Sequence, residues 1–558
     1  MTNKEIASVL DETAALIELT DGNPHRARAF SRAARSLSDL NDAVPSRLAD
    51  DSLREVSGIG EAMVDHVADI VDTGTFSLHD ELLNAIPPGL LDVLKVKGLG
   101  TKRTRRLWQE LDITSLDELE EAATTDQITS LSGFGAKTQA NILDNLRQLR
   151  AYEDQWRLAD AWSTAAPLLE TLRERAPVER AEATGALRRR QEVVEHIAFI
   201  VSTNAPDAVA EWLADRVEGP VESDDGTLSA SLPDGIPLRL HCTAPDAFGT
   251  EWWRTTGASG HVDAWTDRFG VPSAHPTEDA LFAAADLSII PPELREDDGE
   301  ITAAANNALP SLLSVDDLHG CLHNHSTYSD GGDALSVMAD AARELGFSYF
   351  GICDHSQSLQ IANGLSPAEV YQQHEEVQAL NENTDDGFRI FHGIESDILK
   401  DGSLDYENDV LALFDFVVAS VHTGFSMSET EATHRVVTAI ENPHTRILGH
   451  PTGRLLLSRE GYPLNHERII EACAEHDVAL ELNANPHRLD LDWRWVRRAT
   501  DAGVLISINP DAHATAELRN VKWGVRVGRK GWLTPEHCLN AKSLSEFETW
   551  VARGPASA

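Results

Sequence analysis

The sequence predicts a multidomain chain with an all-α front, an α+β middle and a C-terminal β/α barrel. Three observations carry this. The first 150 residues repeat an apolar residue, a Gly-x-Gly turn and an amphipathic helix. Residues 150–300 mix helices with strand-like runs (HIAFIVST, LRLHC, LSII). From 315 onward strand-like and helical runs alternate, the rhythm of a parallel β/α architecture. A chain of 558 residues is long enough for several domains at roughly 100–200 residues each. The expected division is 1–80, 81–150, 151–300, a polar linker at 301–316 that overlaps the irregular stretch 293–310, and 317–558.

At the front, NKEIASVLDETAALIEL has helical apolar spacing, and NPHRARAFSRAARSL follows with an Asn–Pro start. The Gly-x-Gly turns are Gly58/Gly60, Gly98/Gly100 and Gly133/Gly135. This is the helix-hairpin-helix pattern, in which glycines let helix N-terminal N–H groups approach a phosphate. Lys95, Lys97, Lys102, Arg103, Arg105 and Arg106 form a basic island beside the second turn, and Lys137 follows the third. A solvated helix face is the bland account of a charge run. Beside phosphate-type turns, contact with a DNA backbone is the stronger reading.

Charge would otherwise argue against nucleic acid: 47 basic against 91 acidic residues give −44, which repels phosphate unless cations are concentrated locally. Richness in Asp, Glu, Thr and Ala with little Lys suits a halophilic proteome, where salt screens like charges. Five scattered cysteines without a CxxC suggest neither disulfides nor a zinc knuckle. With no long apolar run and no signal-peptide pattern, the expectation is a cytoplasmic protein without membrane contact. Oligomeric state is left open.

The barrel strands are expected in SYFGICDH, RIFHGIESDI, FDFVVASVHT, RILGHP, VALELNANP and VLISINPDAH. His323, His325, Asp330, His355, Glu395, His422, His450, Asp511 and His513 fall where strands meet their following loops. His323/His325 and Asp511/His513 are i, i+2 pairs, each on one face of a strand end. From His325 the donors advance by 30, 40, 27 and 28 residues to His355, Glu395, His422 and His450, and 61 more reach Asp511. Those are βα-unit steps, so the donors ring the catalytic rim of a barrel. A lone histidine is usually structural; nine donors in phase with the repeat are hard to assign to packing. At about three to four ligands per ion they suit roughly three divalent cations. Nitrogen and oxygen donors without thiolate fit Mn²⁺, Zn²⁺ or Fe²⁺, and such clusters hydrolyse phosphate esters. Arg454 is a candidate to grip a nonbridging phosphate oxygen, with His487 and Arg488 beside it.

At HNHSTYSDG, CDHSQSLQIANGL, GIESDIL, VHTG, GHPTGR, ELNANPHRLDL and INPDAH the chain resembles the polymerase-and-histidinol-phosphatase (PHP) domain. With its front end it is similar, over nearly all its length, to bacterial-type family X DNA polymerases. That resemblance implies an eight-kilodalton-like helical domain, a fingers-like helix-hairpin-helix region, a nucleotidyltransferase palm and thumb, and a seven-stranded PHP barrel. It implies Mn²⁺-favoured 3′–5′ exonuclease activity in DNA repair, with AP endonuclease or 3′-phosphatase activity also found in the family. The partners implied are primer 3′ ends and gapped or damaged duplex.

The palm departs from the family pattern G-S-x-R-R-x-x-E-x-x-x-D-I-D. Here GALRRRQEVVEHIAFI keeps Gly185, Arg188, Arg189 and Glu192 in register, but Ala186 replaces the serine, and His196 and Ala198 replace the aspartates. Pro237 stands where a third carboxylate belongs, and Arg254-Thr255-Thr256-Gly257 replaces Y-F-T-G. Two-metal nucleotidyl transfer needs carboxylates, so loss of polymerase activity is expected. The lyase lysine of the family corresponds to His66, so no lyase is expected either. The alternatives are a small-molecule phosphatase like histidinol phosphatase, a still active family X polymerase, and a non-catalytic DNA-end scaffold.

Overall fold

The structure is a computed structural model describing residues 1, 3–20, 22–38, 40, 43–56, 58–382 and 387–552. The chain divides into two compact units, Met1–Asp154 and Gln155–Ala558.

The first unit is all helical. Asn3–Leu19, Pro24–Ser38 and Glu61–Thr73 enclose an apolar core of Ile6, Leu10, Phe30, Leu37, Val67 and Ile70. A second core gathers Val93, Leu107, Leu119, Ile128, Phe134 and Ile142 under Thr101–Leu111, Leu116–Thr124 and Ala136–Tyr152. Leu16, Leu19, Ile86 and Leu90 join the two within the unit. His66 packs against Phe30 and Phe76, with ring centroids 5.7 and 4.5 Å apart.

The second unit begins with a short antiparallel pair, β1 (Trp156–Arg157) and β3 (Val193–Val194). A five-stranded sheet takes β2 (Arg180–Ala183), β4 (Ile197–Ser202), β5 (Glu218–Asp224), β6 (Thr227–Ser231) and β7 (Pro237–Thr243) in the order β2-β4-β7-β6-β5. Only β4 and β7 run parallel, and their register sets Ala198 opposite Arg239. The run LSII is not a strand; it packs Ile290 beneath the helices that follow the sheet.

Residues 293–310 are not a linker. They hold a 3₁₀ turn at Pro292–Leu294 and a helix at Glu300–Ala305, with Arg295, Glu300, Ile301 and Ala304 buried. The polar residues that read as solvated are neutralised in pairs instead. Arg295 donates to Glu278 at 2.6 Å, and His261 lies 2.5 Å from Glu300.

Seven parallel strands then follow in sequential order: β8 (Gly320–Cys321), β9 (Tyr349–Ile352), β10 (Arg389–Asp397), β11 (Phe416–Ser420), β12 (Thr445–Leu448), β13 (Ala479–Asn483) and β14 (Ile506–Asn509). A parallel bridge from Asn324 to Ala512 brings the chain after β8 onto the chain after β14 and nearly closes the barrel. Six helices, from Leu335–Glu344 to Val521–Lys530, follow six of the strands. Every residue of β9, β11, β12 and β14 is buried, so both strand faces lie inside, and β9 and β11 are nearly continuous apolar runs.

Candidate metal centre

All nine predicted donors meet at one end of the barrel. Glu395 lies within β10, and the others stand just beyond the C-terminal ends of β8, β9, β11, β12 and β14. Three overlapping groups have ligand atoms within 4.8 Å of one another: His325, Asp330, His355 and His513; His323, His325 and Asp511; His355, Glu395 and His422. His450 falls outside these groups but sets Nε2 2.9 Å from Glu395 Oε1. Asp330 and His513 are a third exposed while His323, His325 and Glu395 are wholly buried, so the centre opens to solvent on the Asp330 side.

The residues fit cations. His323 Nε2, His325 Nδ1, His355 Nδ1, His450 Nδ1 and Glu395 Oε2 are buried without hydrogen-bond partners, and orphaned buried polar atoms are costly unless something else satisfies them. His355 Nδ1 lies 2.8 Å from Glu395 Oε2 without hydrogen-bond geometry. Protons hold part of the excess negative charge. Burial would lower His323, but Glu481, Glu395 and Asp511 hold it well above the ordinary histidine range. His422 rises to about 10 because Glu395 and Asp397 overcome its burial. Burial, with His513 and His355 alongside, pushes His325 down to about 3, so one ring nitrogen keeps a lone pair for a cation. Cation binding displaces such protons.

Backbone strain marks the same place. His323, His450 and Asp511 have φ of +53°, +22° and +53°, a region costly for residues other than glycine. Each is the second residue beyond its strand, where the chain must turn sharply to aim a donor inward.

Several functional residues escape sequence reasoning. Glu481, in β13, accepts from His323 Nδ1 at 2.6 Å, from the His450 backbone N–H at 3.0 Å, and from Asn483 and Asn509. Keeping the His323 proton on Nδ1 turns Nε2 toward the other donors. Asp397 does the same for His422 at 2.8 Å. Fully buried Asp354 accepts from the Ser326 backbone, Ser326 Oγ, Ser329 Oγ and Gln373, and so fastens the loop that carries His325 and Asp330. The available signals were the acidic residues inside otherwise apolar strands (ELN, ESD, CDH).

The three phosphate-gripping candidates separate. Arg454 is not free to meet a substrate: it donates to Glu192 and Asp492 at 3.0 Å, to the Arg488 carbonyl at 3.1 Å and to the Leu489 carbonyl. Buried Glu192 and half-buried Asp492 both claim it. Exposed His487 pairs with Arg157 and faces β1 rather than the donors. Arg488 alone reaches the centre, with Nε 3.4 Å from Asp511 Oδ2.

In the first unit, Gly58, Gly98 and Gly133 have φ near +90°. Gly60, Gly100 and Gly135 cap the helices Glu61–Thr73, Thr101–Leu111 and Ala136–Tyr152. A Cβ at Gly60, Gly98, Gly100 or Gly135 would meet nothing within 4 Å, which leaves open approaches to helix N-termini. Arg105 and Arg106 turn inward to the Glu18 and Ser132 carbonyls, and Arg106 also pairs with Glu110. Arg103 donates to the Gly98 carbonyl. Lys102 and Lys137 stand exposed in the first turns of their helices.

Ala186, His196 and Ala198 line a cleft of about 490 Å³ against β4 and β7. Pro237 opens β7 and is exposed.

A donor ring of this composition on a seven-stranded parallel barrel, in a chain fronted by helix-hairpin-helix units, defines a PHP-bearing protein. Family models agree: a helix-hairpin-helix domain matches residues 1–76, a SAM-like helix-hairpin-helix tandem 90–148, and a PHP domain 322–485. Over 99% of its length the chain is 34% identical to all of the "DNA polymerase/3′-5′ exonuclease PolX" of Bacillus subtilis (strain 168). It therefore belongs to the bacterial PolX family. A "probable phosphatase" of Thermoanaerobacter sp. (strain X514) is 26% identical over 39% of this chain and 88% of its own. One from Syntrophotalea carbinolica is 33% identical over 29% of this chain and 64% of its own.

Proposed function

We propose that this protein is a DNA-directed, metal-dependent phosphoesterase acting in DNA repair. The PHP centre shortens 3′ ends, and the middle sheet no longer polymerises. The observation that carries the reading is the convergence of nine nitrogen and oxygen donors, five buried polar atoms among them unpartnered, at one barrel mouth. His323, His325, His355, Glu395, His422, Asp511 and their neighbours would hold about three divalent cations, Mn²⁺ or Zn²⁺. Bound there, such ions lower the pKa of water and offset charge on phosphate oxygens. Glu481 and Asp397 orient the imidazoles. Asp330 and His513 lie at the open side where a phosphodiester enters, and Arg488 stands within reach of its oxygens. The open glycine turns, with Lys102 and Lys137, would hold the duplex backbone. Loss of polymerisation is supported by the absence of carboxylates at Ala198, His196 and Pro237. A cytoplasmic location and a halophilic host, in keeping with the net charge of −44, belong to the same reading.

The test is a 5′-labelled primer on a longer template, incubated with Mn²⁺ at high salt, with and without dNTPs. A ladder of 3′-shortened products is expected in both. An extended primer would give the chain the polymerase activity for which its Bacillus relative is named, and an intact primer would remove the nuclease. Likeness to probable phosphatases over the barrel alone favours a second reading, small-molecule phosphatase activity. Faster turnover of histidinol phosphate than of a 3′-phosphorylated oligonucleotide would establish it.

A further inference from the structure

The loop that leaves the donor His355 carries an apolar side chain into water. Ile361 is 93% exposed, more than any other large apolar side chain among the described residues. Folding gains by burying an isoleucine, and the same loop does bury its neighbours: Ala362 and Leu365 face inward and Leu359 is half-buried. The loop is not slack either. Backbone bonds join Leu365 to the His355 carbonyl at 2.9 Å, and Ala362 and Gly364 to the Leu359 carbonyl at 3.0 and 3.2 Å. A Cβ at Gly364 would lie 1.9 Å from the Ser356 carbonyl oxygen, so the two ends of the loop close directly on each other. Both flanks are tied to the metal centre. Ser358 Oγ donates at 2.8 Å to Asp397, the carboxylate that orients His422, and the Ser358 N–H donates to Asp405 at 2.7 Å. On the other flank Asn363 Nδ2 donates at 3.4 Å to the carbonyl of Ser329, the residue before Asp330. Two residues of chain, at most about 7 Å, separate Ile361 from Asn363. The backbone thus fixes Ile361 beside the open, Asp330 side of the centre.

A duplex meets an obstacle at that opening. His323, His325 and Glu395 are wholly buried, so a scissile phosphate reaches them only on a strand end that has left its partner. Freeing a terminal nucleotide loses its pairing and its stacking on the neighbouring pair. Apolar side chains inserted at a base step replace part of that stacking and hold the bases apart. A polar residue would hydrogen-bond to base edges and favour particular sequences. Isoleucine offers only apolar area and dispersion, which every base face accepts.

We propose that Ile361 is a wedge: it packs against the last base pair of a duplex and frees the 3′-terminal nucleotide for the metal centre. The occupant of its exposed face is a nucleobase. The wedge rests on the proposed nuclease reading and adds to it the residue that lets a paired end be shortened. Ile361 holds neither a metal nor the scissile phosphate, so hydrolysis of an end that is already unpaired proceeds without it.

The experiment compares the full chain with Ile361→Ala and Ile361→Leu, in Mn²⁺, on three substrates. These are a 5′-labelled primer paired to its 3′ end, the same primer with its terminal nucleotides mismatched, and bis(p-nitrophenyl) phosphate. Truncating so exposed a side chain leaves the fold intact, and melting curves check this. Ile361→Ala is expected to shorten the paired end about tenfold more slowly, while the mismatched end and bis(p-nitrophenyl) phosphate turn over as before. Ile361→Leu keeps the apolar volume and is expected to keep the parent's rate on the paired end. Equal slowing on all substrates or on both primers, a leucine variant as slow as alanine, or no slowing at all overturns the wedge and leaves the nuclease standing. Unaltered protein that shortens neither primer overturns the nuclease reading, and the wedge falls with it.

Discussion

A single carboxylate shows how a residue that only holds the donors in place can govern the centre. Glu481 touches His323, the His450 backbone, Asn483 and Asn509 at once. Substituting glutamine keeps its shape and removes its charge, so His323 loses the group that holds its tautomer. Glu481→Gln should lower metal affinity about 10–100-fold, read as metal retained per chain after dialysis. Full retention would sink the assignment. The nine donors themselves were legible because HNHSTYSD, CDH, IES, VHT, GHP and DAH end or follow apolar runs. Glu481 was not, because its partner lies 158 residues away in sequence and nothing local links the two. Arg454 was misread for a related reason. Its nearness to His450 in sequence suggested substrate, whereas Glu192 and Asp492, remote in sequence, claim its guanidinium.

Among the elements, the hairpins expose what glycine contributes. Gly98 sits at φ +91° with open space where a side chain would go, so alanine there costs backbone strain alone. Gly98→Ala should destabilise the first unit by about 1 kcal/mol or somewhat more, measured by urea unfolding, and should weaken DNA binding. Lys102→Ala should leave stability nearly unchanged and reduce the salt slope of DNA binding by about 1. Equal slopes for variant and parent would remove Lys102 from the interface. The helix Glu278–Ala284 gives a pH prediction. Burial alone would raise Glu278, but Arg188 and Arg295 hold it down at about 2, against an ordinary 4.5. A carboxyl lowered in the fold stabilises fully above its unfolded value, and that stability is lost as pH falls toward 2. The contribution is on the order of 3 kcal/mol. Glu278→Gln should flatten the acid limb of the stability profile between about pH 4.5 and 2; an unchanged limb would contradict the ion-pair account. The helices were readable from periodicity, and the barrel strands from short apolar runs recurring in a β/α rhythm. The packed stretch 293–310 was not, because its charged residues look solvated until their buried partners are known.

In the whole molecule, sequence predicted a tether between middle sheet and barrel, and the structure has a joint. Arg454 spans from the barrel to Glu192. Buried Lys530 pairs with Glu296, and Arg529 with Glu293 at 2.9 Å. Removing one partner of a buried pair leaves the other charge stranded. Arg454→Met should therefore cost about 3–5 kcal/mol in urea unfolding; a loss of turnover with stability intact would instead make Arg454 a substrate contact. The joint also bears on what the middle sheet does for the barrel. Excising the middle sheet would strip Arg529 and Lys530 of Glu293 and Glu296 and leave Arg454 with Asp492 alone. The middle sheet is therefore a brace for the barrel, whatever chemistry its own cleft performs.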